Sequence, residues 1–600
     1  MRFLLISLLI SNFVFAQKDN QQIAHQYYLN GDYQKAAVLY EQLIKDNYST
    51  TYYDRYYTSL IEIENYSKAE YLANRFSKKH SKELKYQLGI IIAKDKSGYT
   101  RKAEALYKKL LKKIHGGKSQ TIHLANLLVR HGSFNKALEL YLFSEEINEK
   151  NSFGIQKAQI FEKIDEVELM IQEYLNEMER NPTVKQVVTY QIQRFLDNDG
   201  IKSDKNYKIV KDLLLLKSRK EGRVDFSEML IWFFMQNNQF KMALVQAKAL
   251  DRRIESDGEA VFDLGEVFLD KEYFDLAVEA YDYIISKGID NNLFIEANIN
   301  KLYALTKSMS IKNHDISELN QLYSDIIADL GKNRHTVILL SNFAHFKAFY
   351  LHDLLGAQNL LKDAMLISGI DAYDLAECKM EYADVLLLKG DVWESMLYYS
   401  QVEKDFKEHP IGHEAKLRRA KISYYLGDFQ WAQSQLEVLK ASTSKLIANN
   451  AMELSLLITD NYNLDTTEIS MRTFANADLL SYQKRYEEAI LTYDSILITF
   501  PGHSLSDEIY MRKAAIYFNN GEISNALANY EKIEENWGYD ILADDALYKQ
   551  AKIYDDILGD FELAMKLYKK ILSEHNSSIY VSESRKRFRD LRGDNFKKEE

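Results

Sequence analysis

Proline is almost missing from this chain: 3 occur in 600 residues, where average usage of about 5% would give roughly 30. Proline lacks an N–H and clashes with the preceding helical turn, so its scarcity predicts helix along nearly the whole length and argues against flexible Pro-rich linkers. Cysteine is scarcer still. Cys378 is the one thiol, which excludes an intrachain disulfide framework and leaves no cysteine behind the N-terminal apolar run to carry a lipid. Long hydrophobic runs are also lacking, since stretches such as Met229 to Met235 are flanked by charge and far too short to cross a bilayer. Charge of one sign is not concentrated. The net charge of −11 is mild, and lysines alternate with acids, as in Glu531-Lys532. No basic stripe of the kind nucleic-acid binding requires is present beyond a short run near the C-terminus.

What the chain does contain is a period. A small residue, a large apolar residue three later, an alanine twelve later and a tyrosine sixteen later recur in Ala24/Tyr27/Ala36/Tyr40, Ala125/Leu128/Ala137/Tyr141, Gly265/Phe268/Ala277/Tyr281, Ala477/Leu480/Ala489/Tyr493 and Ala514/Tyr517/Ala526/Tyr530. Small residues belong where two helices cross closely, and tyrosines fill the gaps between neighbouring helix pairs, so much of the content of 42 tyrosines is assigned to packing. The alanine opening each second helix falls at 36, 69, 103 and 137, resumes at 243 and 277, and continues at 357, Ser395 and 432, then at 489, 526 and 564. Glycines at the turns, as in Gly31-Asp32 and Gly427-Asp428, suit helix C-caps.

Spacings of 33 and 34 in the N-terminal series are those of the tetratricopeptide repeat, and the chain resembles that superfamily over most of its length. The closing stretch looks like the exported repeat proteins of outer-membrane biogenesis and the bacterial cell envelope. That likeness rests on Tyr486-Glu487-Glu488-Ala489, Phe500-Pro501-Gly502-His503 and Gly559-Asp560-Phe561-Glu562-Leu563-Ala564 with Tyr568. It implies an all-α, right-handed superhelical solenoid of helix-turn-helix units whose first helices line an inner surface. For function it is weak, because one scaffold hosts many partners.

The organisation expected is a signal peptide at 1–16, an N-terminal array at 17–148, degenerate helical repeats at 149–225, a central array at 226–470, a C-terminal array at 471–580 and a charged helix or tail at 581–600. The leader reading rests on Arg2, the apolar run Phe3 to Phe15 and the small-residue pattern Val14-Phe15-Ala16 before Gln17, so the mature chain is expected outside the cytoplasm, periplasmic or associated with the outer membrane. In 149–225 and 291–331 apolar residues keep helical spacing while the alanine–tyrosine signature is missing. The segment 439–450 breaks the pattern and is read as a polar loop whose hydroxyls cap a helix near Lys445.

Chemical motifs are few. His409, His413 and Glu414 have metal-ligand types, but Pro410 and Gly412 speak against one regular helix, so an inter-repeat turn is expected and no metal or other cofactor. His345 and His352 lack a third ligand nearby. Cys378 reads as a buried thiol. No phosphate loop, serine elbow or paired-carboxylate signature stands out, and the repeats run to Tyr568 without room for a catalytic domain, so no enzyme is expected. The cluster Arg585, Lys586, Arg587, Arg589 and Arg592 reads as the solvated face of a capping helix.

The function expected is therefore a non-catalytic scaffold for protein or peptide partners of the cell envelope, with a surface glycan-binding helical protein as the alternative. Counting one, four and five residues from the small anchor of each first helix gives an expected exposed groove. It holds Asp384, Leu387 and Leu388; Lys421, Tyr424 and Tyr425; Asp478, Ser481 and Tyr482; and Ala515, Phe518 and Asn519. Within it the partner-binding candidates are Asp384, Lys421, Tyr424, Tyr425, Asp478, Tyr482 and Phe518, aromatics serving as anchors and charges as orienting groups.

Overall fold

The structure, a computed structural model, describes residues 20–46, 49–198, 204–220, 223–312, 316–462 and 468–593. The expected leader and its cleavage point, and residues 594–600 of the tail, lie outside them. Among the described residues every regular element is a helix, and within each unit most helices pack on the next in sequence. The chain is an all-α repeat solenoid divided into two compact units, Met1–Ser256 and Asp257–Glu600. That division falls inside the stretch 226–470 that the sequence suggests as a single array.

The repeat phase can be followed atom by atom. Ala36, Ala69, Ala103 and Ala137 in the first unit, and Ala277, Ala357, Ala489, Ala526 and Ala564 in the second, are all wholly buried. Where Ser395 replaces alanine, its hydroxyl donates to the Ala383 carbonyl of the crossing helix at 2.7 Å, so the extra polar atom is satisfied. Gly265 shows how tight a crossing is. A Cβ there would sit 2.8 Å from Cε1 of Tyr281 and 3.2 Å from Cβ of Ala280. Four residues after the alanine, Tyr40, Tyr107, Tyr141, Tyr281, Tyr399, Tyr493 and Tyr568 are each buried.

Five residues before the alanine the backbone enters the left-handed region. Gly31 and Gly521 hold this place in open space, so conformation alone selects glycine there. Glu64, Asn238, Glu272, His352 and Lys484 hold it elsewhere, with φ between 51° and 62° across the chain's positive-φ non-glycines. The same marker locates a unit in the interval 149–225: Asp165 has φ 59°, Met170 takes the alanine place and Tyr174 follows, both buried. Leu319 and Tyr323 play these parts within 291–331. Larger residues at the crossing hide these units from an alanine search.

Three further features differ from the sequence reading or extend it. Pro410 does not break a helix; it starts the helix Pro410–Tyr425 as its first residue, with His409 as N-cap. Gly412 is needed there because a Cβ would lie 1.9 Å from the Phe406 carbonyl oxygen. In 439–450 a short turn at 440–444 leads into an additional helix, Lys445–Tyr462, which starts at the residue expected and accounts for the long interval between Ala432 and Ala489. Finally, the turn after the helix Ile469–Tyr482 reaches far back in sequence. Gln483 Nε2 donates to the Leu387 carbonyl at 3.2 Å, and Lys484 Nζ donates to the Phe349 carbonyl and lies 5.7 Å from the Phe349 ring centroid.

Candidate functional site

In the second unit, first helices and the additional helix surround a cleft of about 770 Å³. Its walls come from Pro410–Tyr425, Lys445–Tyr462, Ile469–Tyr482, Ser506–Asn519 and the first turns of Ala543–Lys552. The additional helix explains much of it. It buries Ile447, Ala451, Ser455 and Ile458, and turns Glu453, Leu456, Leu457 and Asp460, at i, i+3, i+4 and i+7, to the cleft. Leu456 is 48% exposed and Ile541 is 76% exposed, giving the cleft an apolar lip.

Of the residues suggested by the sequence, Lys421, Tyr424, Tyr425 and Asp478 line this cleft, as does Ser481. Asp384, Tyr482 and Phe518 are not among its lining residues. Phe518 is exposed as expected, but Tyr424 is not, and Tyr425 and Tyr482 are half-buried. Tyr424 is wholly buried but for its edge, at 1%, and Leu387 and Leu388 are buried as well. The reason is that the helix Ile469–Tyr482 packs on Pro410–Tyr425 and sets Leu479 and Tyr482 against the cluster holding Leu387 of the helix Ala372–Lys389, covering positions that a regular array would leave open.

Under that cover lie two polar centres of the same design. Asp384 accepts from Tyr399 at 2.5 Å and from Tyr482 at 3.2 Å, and pairs with Arg418. Asp478 accepts from Tyr424 at 2.7 Å and from Tyr493, with Arg512 Nε at 3.5 Å. In each, tyrosine follows aspartate by 15 residues and arginine by 34, so each aspartate joins its own second helix to the first helix of the next unit. A third centre sits at the π-helical turn Ile553–Leu558, where Asp555 accepts from Tyr568 at 3.1 Å and from Arg587 at 2.7 and 2.9 Å. Burial pushes the Asp384 carboxyl up, and the Arg418 charge opposes that shift. Burial likewise raises the Tyr424 and Tyr482 phenols, reinforced by the neighbouring aspartates, so both act as neutral donors.

The cleft wall itself is mixed in charge. Lys421, Arg512 and Lys549 face Glu453, Asp460, Asp478, Glu508 and Asp545. Burial and the adjacent Asp507 push Glu508 up to about 9, and burial also raises Asp545, whose Oδ1 accepts from Tyr580 at 2.6 Å. Glu508, Arg512 and Asp545 escaped the sequence reading because it followed only three positions per first helix. The arginine spacing of 34 from Asp384 and from Asp478 was the available signal. The remaining chemical candidates do not gather. His345 meets Glu381 at 2.9 Å, His413 meets Ser442 at 3.1 Å, and buried Cys378 is pushed up to about 12 by burial. Among the described residues no group of three or more His, Cys, Asp or Glu is placed to hold a metal, and no helix is long and apolar enough to cross a membrane.

Residues 545–578 match the model of a tetratricopeptide repeat family. No curated protein matches the chain. Among solved structures it is similar to a chain of the APC/C hetero-tetramer Cut9–Hcn1, at 11% identity and TM-score 0.25 over 96% of this chain and 98% of that one. It is also similar to a chain of Naa15/Naa10 bound to HypK, at 13% and 0.27 over 90% and 99%. A tetratricopeptide repeat protein from Parabacteroides merdae matches at 15% and 0.18 over 56% and 99%. Likeness at this level says nothing of what this chain binds. The matched unit at 545–578 includes the buried pair Ala564 and Tyr568, in phase with the alanine–tyrosine units before it.

Proposed function

We propose that this chain is a non-catalytic interaction scaffold of the cell envelope that grips an extended segment of a partner protein in the cleft of its second unit. The observation that carries the reading is the cleft itself, about 770 Å³ with walls of leucine, methionine and tyrosine and charges of both signs. Pockets of this size that combine apolar area with a few polar groups are suited to side-chain recognition. Anchoring falls to the exposed Leu456 and Ile541 rather than to the buried Tyr424, and orientation to Lys421 and the wall carboxylates. The envelope setting rests on the leader pattern ending in Val14-Phe15-Ala16.

The test is affinity capture from envelope fractions with wild type and with Leu456→Asp/Ile541→Asp, after circular dichroism shows equal helicity. Both side chains are exposed, so the change leaves packing alone and places charge in the apolar lip. Loss of the captured partner is expected; retention of every partner at wild-type strength places binding elsewhere. Edman sequencing of the exported protein should begin at Gln17, and recovery of the chain with residues 1–16 attached and in the cytoplasm would remove the envelope from the proposal.

A further inference from the structure

The cleft is not neutral, and its imbalance has a sign. Five carboxylates and three cations line it. Asp478 is already engaged by Tyr424, Tyr493 and Arg512, which removes one charge of each sign; Glu508, kept protonated by burial and Asp507, adds none, so Glu453, Asp460 and Asp545 stand against Lys421 and Lys549. Lys549 directs Nζ to Sδ of Met511 at 3.7 Å rather than to a carboxylate. Glu508 and Asp545 are each the third residue of their helices and lie 37 residues apart, the spacing of Ala489 and Ala526, so the repeat sets carboxylates at equivalent places in consecutive units. Residues at that position are favoured by the helix dipole, which explains their being acidic but not their facing one cleft with the exposed Glu453.

A second observation is independent of the count. Oε2 of Glu508 is buried and, among the described residues, meets no hydrogen-bond donor. A protonated carboxyl keeps one acceptor oxygen, and the last torsion of a glutamate turns easily, so Glu508 can present that oxygen to an incoming donor. The apolar part of the wall, Leu456, Leu457, Met511 and Ile541, borders these groups. From this charge complementarity we infer that the occupant is a basic peptide segment, a lysine or arginine flanked by large apolar residues, with the cation set between Glu453 and Asp545 and donating to the neutral Glu508 carboxyl. The inference rests on the docking reading above and adds the chemistry of the partner.

The experiment uses the mature full-length chain and an array of fluorescein-labelled nonapeptides with leucine flanks, the central position carrying Lys, Arg, Gln or Glu. Binding is read by fluorescence anisotropy against wild type, Glu453→Gln/Asp545→Asn and Ser481→Trp, the last blocking the cleft, with Leu456→Asp as a second blocking variant and helicity checked for each. Lys and Arg peptides should bind at least about tenfold tighter than the Gln peptide, with an advantage that shrinks as salt rises. The advantage should vanish in Glu453→Gln/Asp545→Asn, and all binding should vanish in the blocked variants. Gln or Glu peptides binding as tightly as Lys while still blocked by Ser481→Trp would overturn the cationic inference and leave the cleft as the docking site. Binding that survives both blocking variants, or none from any peptide at millimolar concentration, would overturn both.

Discussion

Removing the Arg587 side chain tests how the end of the solenoid is held. Asp555 is 1% exposed, and the Arg587 guanidinium grips both of its oxygens while its own side chain stays 34% exposed. Deleting one partner of a fully buried ion pair costs about 3–5 kcal/mol, because the remaining charge is stranded. Water already reaches a third of this guanidinium and can replace part of it, so the expectation for Arg587→Ala is about 2–3 kcal/mol. Solenoid units contact only their neighbours, so the loss should appear first as opening of the helix Val581–Arg592. Amide hydrogen exchange there should accelerate by roughly 30- to 150-fold, with the first unit unaffected. The pH dependence carries a sign. In the wild type burial pushes the Asp555 carboxyl up, but Arg587 and Tyr568 hold it below the ordinary carboxylate value overall. A depressed carboxylate contributes stability that is present above the unfolded value near about 4 and is lost as pH falls through the folded one. In the variant burial is left to dominate, so the deficit should be largest at neutral pH and shrink below about pH 4. A double variant Asp555→Asn/Arg587→Ala should recover part of the loss. Unchanged exchange over 581–592 in Arg587→Ala would refute the argument.

Other expectations follow from single sites. Ala526→Leu should destabilise the second unit by about 1–3 kcal/mol through overpacking at a helix crossing, since Ala526 is wholly buried; an unchanged calorimetric transition would contradict the assigned phase. Gly265→Ala should cost a similar amount, about 1–3 kcal/mol, because the new Cβ meets the Tyr281 ring at 2.8 Å, readable by urea unfolding. His131 is 4% exposed, and burial pushes it down to about 4, so it is neutral when folded. Its contribution is complete above about pH 6.5 and lost as pH falls toward 4, and His131→Phe should flatten the stability of the first unit over that window. Lys484→Gly relieves a side chain held at φ 59° but removes the bond to the Phe349 carbonyl; stability should fall, whereas Glu272→Gly, at φ 62°, should be neutral to stabilising by about 1 kcal/mol in thermal melts.

The repeat phase was legible because steric demands at a crossing are local: only a small residue lets the helices approach at Ala36 or Ala489, and the tyrosine four later fills the space that results. The units at Met170 and Leu319 were hidden since a slightly wider crossing admits a larger residue while the left-handed turn and the tyrosine persist, as at Asp165 and Tyr174. The cleft was legible in part. Lys421, Tyr424, Tyr425 and Asp478 were named from register alone and all line it. That Tyr424 is buried and that Asp384 and Tyr482 turn away into a polar centre could not be read from register, because it depends on the additional helix and on how Ile469–Tyr482 then folds back. Glu453 and Asp460 belong to that same helix, which no repeat template contains.

The reach of Lys484 to the Phe349 carbonyl also sets a clock. That acceptor is made 135 residues before its donor, an interval of roughly 7–27 s at a synthesis rate of 5–20 residues per second. Neighbouring helix pairs can close in far less time, so the helix ending at Phe349 must wait with its last carbonyl hydrated while several later units are made. The array is thus assembled sequentially but locked retroactively. A chain stalled before residue 484 would hold folded repeats that are open to proteases at a point well upstream of the stall.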